Sequence, residues 1–216
     1  MKMRKILILF CTSIMLLSFT ACSDETNEAN ESEAIEEYVV TTPDPEAIMK
    51  VTNDKIVTEF TEEAVDFPDR ELRCYLPKGF QESEYEGEYL HKSYPKDVSS
   101  INHVITDTKE DPTKQTKEEY IASLKADLKD LYGSDINVDI TQYDKIVVDG
   151  RPGLWIMYNY DYRGEHYYVL QVKLFTGKQV DEMLYFEAPG SKWMDKFVES
   201  AESLTYVDPE KDAVNE

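Results

Sequence analysis

His91 and His103 flank Pro95-Lys96-Asp97 within one predicted β-hairpin, Gly87–Tyr94 followed by Ser100–Thr106. If that hairpin is symmetric about Asp97, the two imidazoles face each other, and with a carboxylate they could hold zinc or copper. No third ligand is evident, so His91 and His103 stay candidates only and the expectation is no metal and no cofactor. His166 should face Asp161 across a tight turn at Arg163-Gly164. A catalytic base oriented by a carboxylate has that form, but no nucleophile accompanies it, and a surface cross-strand pair is expected. Ser93-Tyr94-Pro95-Lys96 has the spacing of serine–lysine acyl transfer. That chemistry needs the lysine one helical turn beyond the serine, which Pro95 in a hairpin prevents. Cys74 alternates with Leu72 and Leu76 and reads as a small core residue. Phosphate-cradling glycine loops, histidine-pair zinc motifs and nucleophile elbows are absent from the sequence. No enzyme is therefore expected, and a hydrolase is the least favoured alternative.

The remaining reactive position is Cys22. Lys2, Arg4 and Lys5 precede an apolar stretch over residues 6–17, too short to span a bilayer but suited to a secretory leader. Phe19-Thr20-Ala21-Cys22 follows. This segment resembles a bacterial lipoprotein signal, with Phe19 in place of the usual leucine. The resemblance implies that Cys22 receives a diacylglycerol thioether and becomes the first residue after cleavage. Cys11 would then be discarded, leaving Cys74 with no cysteine to pair with.

Charge divides the chain further. It has 216 residues, with 44 Asp and Glu against 23 Lys and Arg, for a net charge of −21. The first 21 residues hold three bases and no acid, so the remainder carries 44 acids against 20 bases, or −24. Such a chain should not bind nucleic acid or adhere electrostatically to an anionic membrane. Seven acids and no base lie between Ser23 and Glu37. That composition cannot bury enough apolar area to repay ordering and reads as a self-repelling tether. The organisation expected is a signal over 1–21, the lipidated cysteine and acidic linker over 22–52, a globular domain over 53–207 and a tail over 208–216.

Within the domain, Lys55–Phe60 and Glu71–Leu76 read as strands. Thr116 and Glu119 form a capping box at the head of a helix over Lys117–Leu131, which Gly133 ends. Four strands follow, about Ile136–Val148, Gly153–Tyr162, Glu165–Phe175 and Gln179–Ala188. The turns expected between them are Asp149-Gly150, Arg163-Gly164 and Thr176-Gly177. Counting outward from those turns sets Tyr158 against Val169 and Val169 against Leu184. On the other face it sets Met157 against Leu170 and Leu170 against Met183. Both faces are apolar, so both must be covered. A last helix over about Lys192–Leu204, with Ser191 as N-cap, carries Trp193, Met194, Phe197, Val198, Ala201 and Leu204 on one face. One helix per face predicts an α+β, three-layer α/β/α sandwich around an antiparallel sheet. Tyr158 and Tyr160 should be core, while Tyr162, Arg163 and Tyr167 at the hairpin end are the candidate partner surface.

The order of elements resembles the PsbP-like fold. It is carried by Leu76-Pro77-Lys78-Gly79-Phe80, Lys117-Glu118-Glu119-Tyr120, Val148-Asp149-Gly150-Arg151-Pro152-Gly153 and the closing Ser203-Leu204, over roughly residues 65–207. The family takes its name from a photosystem II extrinsic subunit and includes many bacterial lipoproteins. The resemblance implies a binding or accessory role and supplies no catalytic or metal-ligand position. The function expected is a membrane-anchored extracytoplasmic lipoprotein, held to lipid through Cys22, that serves an envelope protein partner. A small-ligand or metal-binding lipoprotein is the alternative.

Overall fold

The structure is a computed structural model, and the residues described are 59–67 and 72–206. The leader, Cys22, the acidic linker, residues 55–58 of the first expected strand and the tail lie outside them. The order of elements is β1 (Val65–Asp66), β2 (Leu72–Cys74), β3 (Phe80–Glu82), β4 (Glu88–His91), β5 (Ser100–Asp107), α1 (Lys117–Tyr132), β6 (Val138–Val148), β7 (Arg151–Tyr162), β8 (Glu165–Phe175), β9 (Gln179–Glu187), α2 (Met194–Glu202) and β10 (Thr205–Tyr206). Seven strands form one antiparallel sheet in the order β3-β4-β5-β9-β8-β7-β6. A second sheet, β1-β2-β10, joins the two ends of the domain.

The expected three layers are present. On one face Tyr120, Leu124 and Leu128 of α1 pack with Ile156, Tyr158, Tyr160, Val169 and Leu184. On the other, Phe197 and Ala201 of α2 pack with Leu170, Val172, Tyr185 and the small sheet's Leu72 and Cys74. Alternation along the strands sends neighbours to opposite layers, so both helices have apolar partners.

Local rules account for α1 and most turns. Thr116 and Glu119 close the capping box in both directions, at 3.2 and 2.9 Å. Asp149-Gly150 and Arg163-Gly164 have positive φ at both central residues, the form that suits a two-residue hairpin turn. Tyr158 faces Val169 and Met157 faces Leu170, as counted from the second of these.

Three expectations are corrected. Thr176 N donates to the Gln179 carbonyl, so the two turn residues are Gly177-Lys178 rather than Thr176-Gly177. Gly177, at φ 89°, takes the first central position, where a positive φ is needed. That one-residue move of the turn shifts the pairing by two, so Val169 faces Phe186 and Leu170 faces Tyr185. The shift is even, so each side chain keeps its face. The β4–β5 hairpin pairs Glu88 with Asn102 and Leu90 with Ser100, which centres it on Pro95 instead of Asp97. Finally, α2 begins at Met194, and Ser191 does not cap it. Glu187, at the end of β9, accepts from the Trp193 and Met194 backbone N–H groups at 2.6 and 2.5 Å. A carboxylate there also meets the positive end of the helix dipole.

β6 carries a bulge at Thr141, between the Ile140–Tyr158 and Gln142–Met157 pairs. The extra residue turns Tyr143 back toward α1 alongside Ile140 and leaves Ile146 for the α2 layer.

Candidate functional site

The hairpin register separates the two candidate metal ligands. His103 N donates to the Gly87 carbonyl, and His91 N donates to the Ser99 carbonyl. The two histidines are thus four residues apart along the strand pair, roughly 13 Å. His91 packs among Phe80 and Trp193, with ring centroids 5.5 and 5.0 Å away, and its Nδ1 lies 3.5 Å from Asp97 Oδ2. His103 is buried against the Phe67 ring. No group of three metal-ligating side chains occurs among the described residues. Both imidazoles serve as packing surfaces here.

Cys74 is fully buried, and burial pushes its thiol up to about 12. A thiol so far from ionising is no nucleophile at neutral pH. His166 does meet Asp161, with Nδ1 2.7 Å from Oδ1, in the expected cross-strand pair at an exposed edge.

At the β7–β8 hairpin, Tyr158 and Tyr160 are core, as their register requires. Tyr162 stacks on Tyr132 at 4.1 Å, and Tyr167 stacks on Tyr160 at 5.2 Å. Both are half-buried extensions of the α1 layer, with Arg163 exposed at the tip, its guanidinium 5.1 Å from the Tyr162 ring. Of the tyrosines at this hairpin the most open to solvent is Tyr168, 42% exposed, on the opposite face beside His166.

A polar pocket of about 120 Å³ opens between α1 and β8, and sequence reasoning missed it. Gln115, Tyr120, Ser123 and Asp127 line it from the helix side, and Gln171 and Lys173 from the sheet. Residues 120, 123 or 124, and 127 recur at helical spacing, so Asp127 occupies the inner flank of α1 and is 8% exposed. Gln171 and Lys173 follow Val169 at strand spacing on the same face. Gly153, opposite Leu174 on the α2 face, lets β7 lie close against β8, because a Cβ at that position would lie 2.2 Å from the Lys173 carbonyl oxygen.

Hydrogen bonds run through the floor in sequence. Tyr120 OH donates to Gln171 Oε1, and Gln171 Nε2 donates to Glu182 Oε1 at 2.5 Å. Glu182 Oε2 lies 3.7 Å from Lys173 Nζ, its partner directly across β8 and β9. Burial pushes the Tyr120 phenol well up, and the nearby Glu182, Tyr143 and Asp127 add to it. Asp127 is pushed up to about 6, first by burial; Lys173 opposes the rise, and Asp130 and Glu182 reinforce it. The lining is mostly polar, so what the pocket offers a guest is hydrogen bonding rather than apolar contact. The sequence signal was available: four polar residues interrupt the periodic apolar pattern of α1, β8 and β9.

Neither a family model nor a curated protein matches the sequence. Solved structures do. The chain is similar to cyanobacterial PsbP (CyanoP) of Synechocystis, with 11% identity, coverage of 68% of this chain and 92% of that one, and a TM-score of 0.52. It is also similar to the Ran-binding protein Mog1p of Saccharomyces cerevisiae, with 13% identity, 70% and 98% coverage and a TM-score of 0.48. LpqN of Mycobacterium tuberculosis, described as involved in cell envelope biogenesis, matches at 14% identity, 69% and 92% coverage and a TM-score of 0.44. The fold is PsbP-like. At these identities the likeness concerns the fold alone.

Proposed function

We propose that the protein is a lipid-anchored extracytoplasmic module that serves a protein partner at the cell envelope without catalysing a reaction. The observation that carries this reading is Phe19-Thr20-Ala21-Cys22, placed directly after a basic and then apolar leader. Two acyl chains on one residue hold firmly at roughly 0.8 kcal/mol per buried methylene, whereas one gives only reversible binding. The acidic run after Cys22 supports the same reading, since a self-repelling spacer lifts a domain clear of a bilayer. A PsbP-like fold is compatible with an accessory role. Buried Cys74 and the exposed, nucleophile-free His166–Asp161 pair lend no support to a catalytic one. The half-exposed Tyr162 and Tyr167 with Arg163 at their tip are the surface proposed for the partner.

The test is Cys22→Ala, followed by metabolic labelling with palmitate, membrane fractionation and crosslinking in the native envelope. Loss of label and release from the membrane are expected, with a reproducible crosslinked partner only for the parent protein. Unchanged processing and membrane association of the variant would overturn the anchor. A crosslinking pattern without any reproducible partner would overturn the accessory role.

A further inference from the structure

The two faces of β6 and β7 are covered unequally. On one, α1 packs with Ile140, Ile156 and Tyr158. On the other, α2 lies over β8 and β9. The small sheet closes only the Asp149-Gly150 end, where Thr205 Oγ1 donates to Asp149 and the Arg151 guanidinium sits over the Tyr206 ring. Between them Trp155 and Met157 are half-buried, and Tyr168, on β8 opposite Asn159, is 42% exposed. Alternation puts all three on the α2 face. A sheet with two apolar faces needs cover on both, and among the described residues no helix covers this stretch.

The helix α2 forms one wall beside it. Its Trp193 packs on Phe80 and His91 of β3 and β4, so that flank faces the β3 edge of the sheet. Met194, Val198 and Glu202, four residues apart, lie on the other flank, toward β7, and the first two are half-buried. A trough results, apolar along its floor and wall.

Charge then selects the occupant. The exposed side chains that border the trough are acidic: Asp139 and Asp144 from β6, Asp161 from β7 and Glu202 from α2. No Lys or Arg occurs on the α2 face of β6, on β7 between Gly153 and Asp161, or at the three flank positions of α2. His166 meets only Asp161. Burial, with Glu199 adding to it, holds the Glu202 carboxyl above its ordinary value. The rest of the chain does not match this border. Residues 22–58 hold ten acids against two bases, and 207–216 hold four against one. A second copy would bring the same acids to a two-fold interface. A cationic amphipathic helix answers both features, its apolar stripe meeting Trp155 and Met157 and its bases meeting the border.

We propose that the trough between α2 and β7 docks a cationic amphipathic helix of a partner protein, which completes the α2 layer over β6 and β7. The trough lies on the face opposite Tyr162 and Tyr167, and every residue it uses belongs to the domain, so it stands independently of lipid at Cys22.

The experiment is a titration of the full-length protein, at physiological salt, with a synthetic Leu–Lys helix of about 18 residues carrying one apolar face, followed by methyl NMR. Saturable shifts at Met157, Met194 and Val198 are expected. A peptide of the same composition in scrambled order has no apolar face and should bind about tenfold more weakly, and a Leu–Glu counterpart should not bind. Met157→Lys should weaken binding about tenfold as well. Tyr168→Ser, at an exposed ring whose loss leaves the fold intact, should weaken it severalfold, while Tyr162→Ser on the opposite face should leave it unchanged. Equal affinity for the scrambled or the Leu–Glu peptide would overturn the choice of occupant. Shifts at the Tyr162–Tyr167 tip in place of the trough, or no saturable shifts at all, would overturn the docking site. A dimer seen in sedimentation without peptide and abolished by Tyr168→Ser would assign the trough to a second copy and overturn the partner helix.

Discussion

On one face of the central sheet, α2 and the small β1-β2-β10 sheet enclose Phe67, Leu72, Tyr185 and Phe197, each at most 1% exposed. On the other, α1 covers an equally aromatic layer, but Asp127, Gln171, Lys173 and Glu182 are set into its middle. The first layer packs apolar side chains around one small polar cluster, Cys74, Tyr185 and Ser200, and its carboxylate, Asp181, is 2% exposed and accepts from Tyr206 OH at 2.7 Å. The second holds a larger set of polar and charged groups beside an open pocket. Burying charge is unfavourable unless it is fully paired, and Asp127 lacks a pair. The α2 layer therefore supplies stability, while the α1 layer gives some of it up around a pocket.

The largest effect expected from testing this contrast is on the sealed side. Phe197→Ala should cost about 3–5 kcal/mol in urea unfolding, because it opens a cavity that three neighbouring rings cannot fill. A loss under about 1 kcal/mol would mean that this layer is loosely packed. Next comes Asp127→Asn, which should stabilise the protein. The folded carboxyl titrates at about 6 against an ordinary 3.8, so over that interval the folded state holds the proton more tightly than the unfolded state. Stability is then greatest below the interval and falls as pH rises through it, by up to roughly 3 kcal/mol. The asparagine variant should lack that fall and exceed the parent at pH 7. Parallel pH–stability curves for the two proteins would contradict the buried charge.

A smaller effect compares the helix caps. Glu187→Ala strips two backbone N–H groups of their acceptor and should cost about 2 kcal/mol. Thr116→Ala, at an exposed local cap, should cost about 1 kcal/mol. Thermal unfolding of both variants would order them, and a reversed order would place the greater dependence on α1. The smallest change expected is for His166→Ala, under about 0.5 kcal/mol, since that side chain is 41% exposed and its partner Asp161 more so. A larger loss would show the Asp161–His166 pair to be more than a surface contact.

Some features were legible because they depend on residues close in the chain. The capping box needs only Thr116 and Glu119. The Asp149-Gly150 and Arg163-Gly164 turns need only their own positive φ, and the Tyr158–Val169 pair follows by counting. Tyr158 and Tyr160 as core, and one helix on each face, followed from alternation. Errors arose where a turn admitted two solutions. Thr176-Gly177 and Gly177-Lys178 both place a glycine in a two-residue loop, and a hairpin containing Pro95 and Asp97 can centre on either. The first slip was harmless to the faces, while the second took away the opposition of His91 and His103.

By itself, then, the sequence determined the period of the long elements, the faces of β7, β8 and β9, the α1 cap and the α+β class, all of them properties of local sterics or alternation. Tertiary structure decided the rest. The pairing of β5 with β9, the joining of β1, β2 and β10, the capping of α2 by Glu187 and the meeting of Asp127 with Lys173 and Glu182 each bring together groups from separate elements. No period within a segment encodes such meetings. They depend on which layers must close over which faces, and that is settled only when the whole core packs.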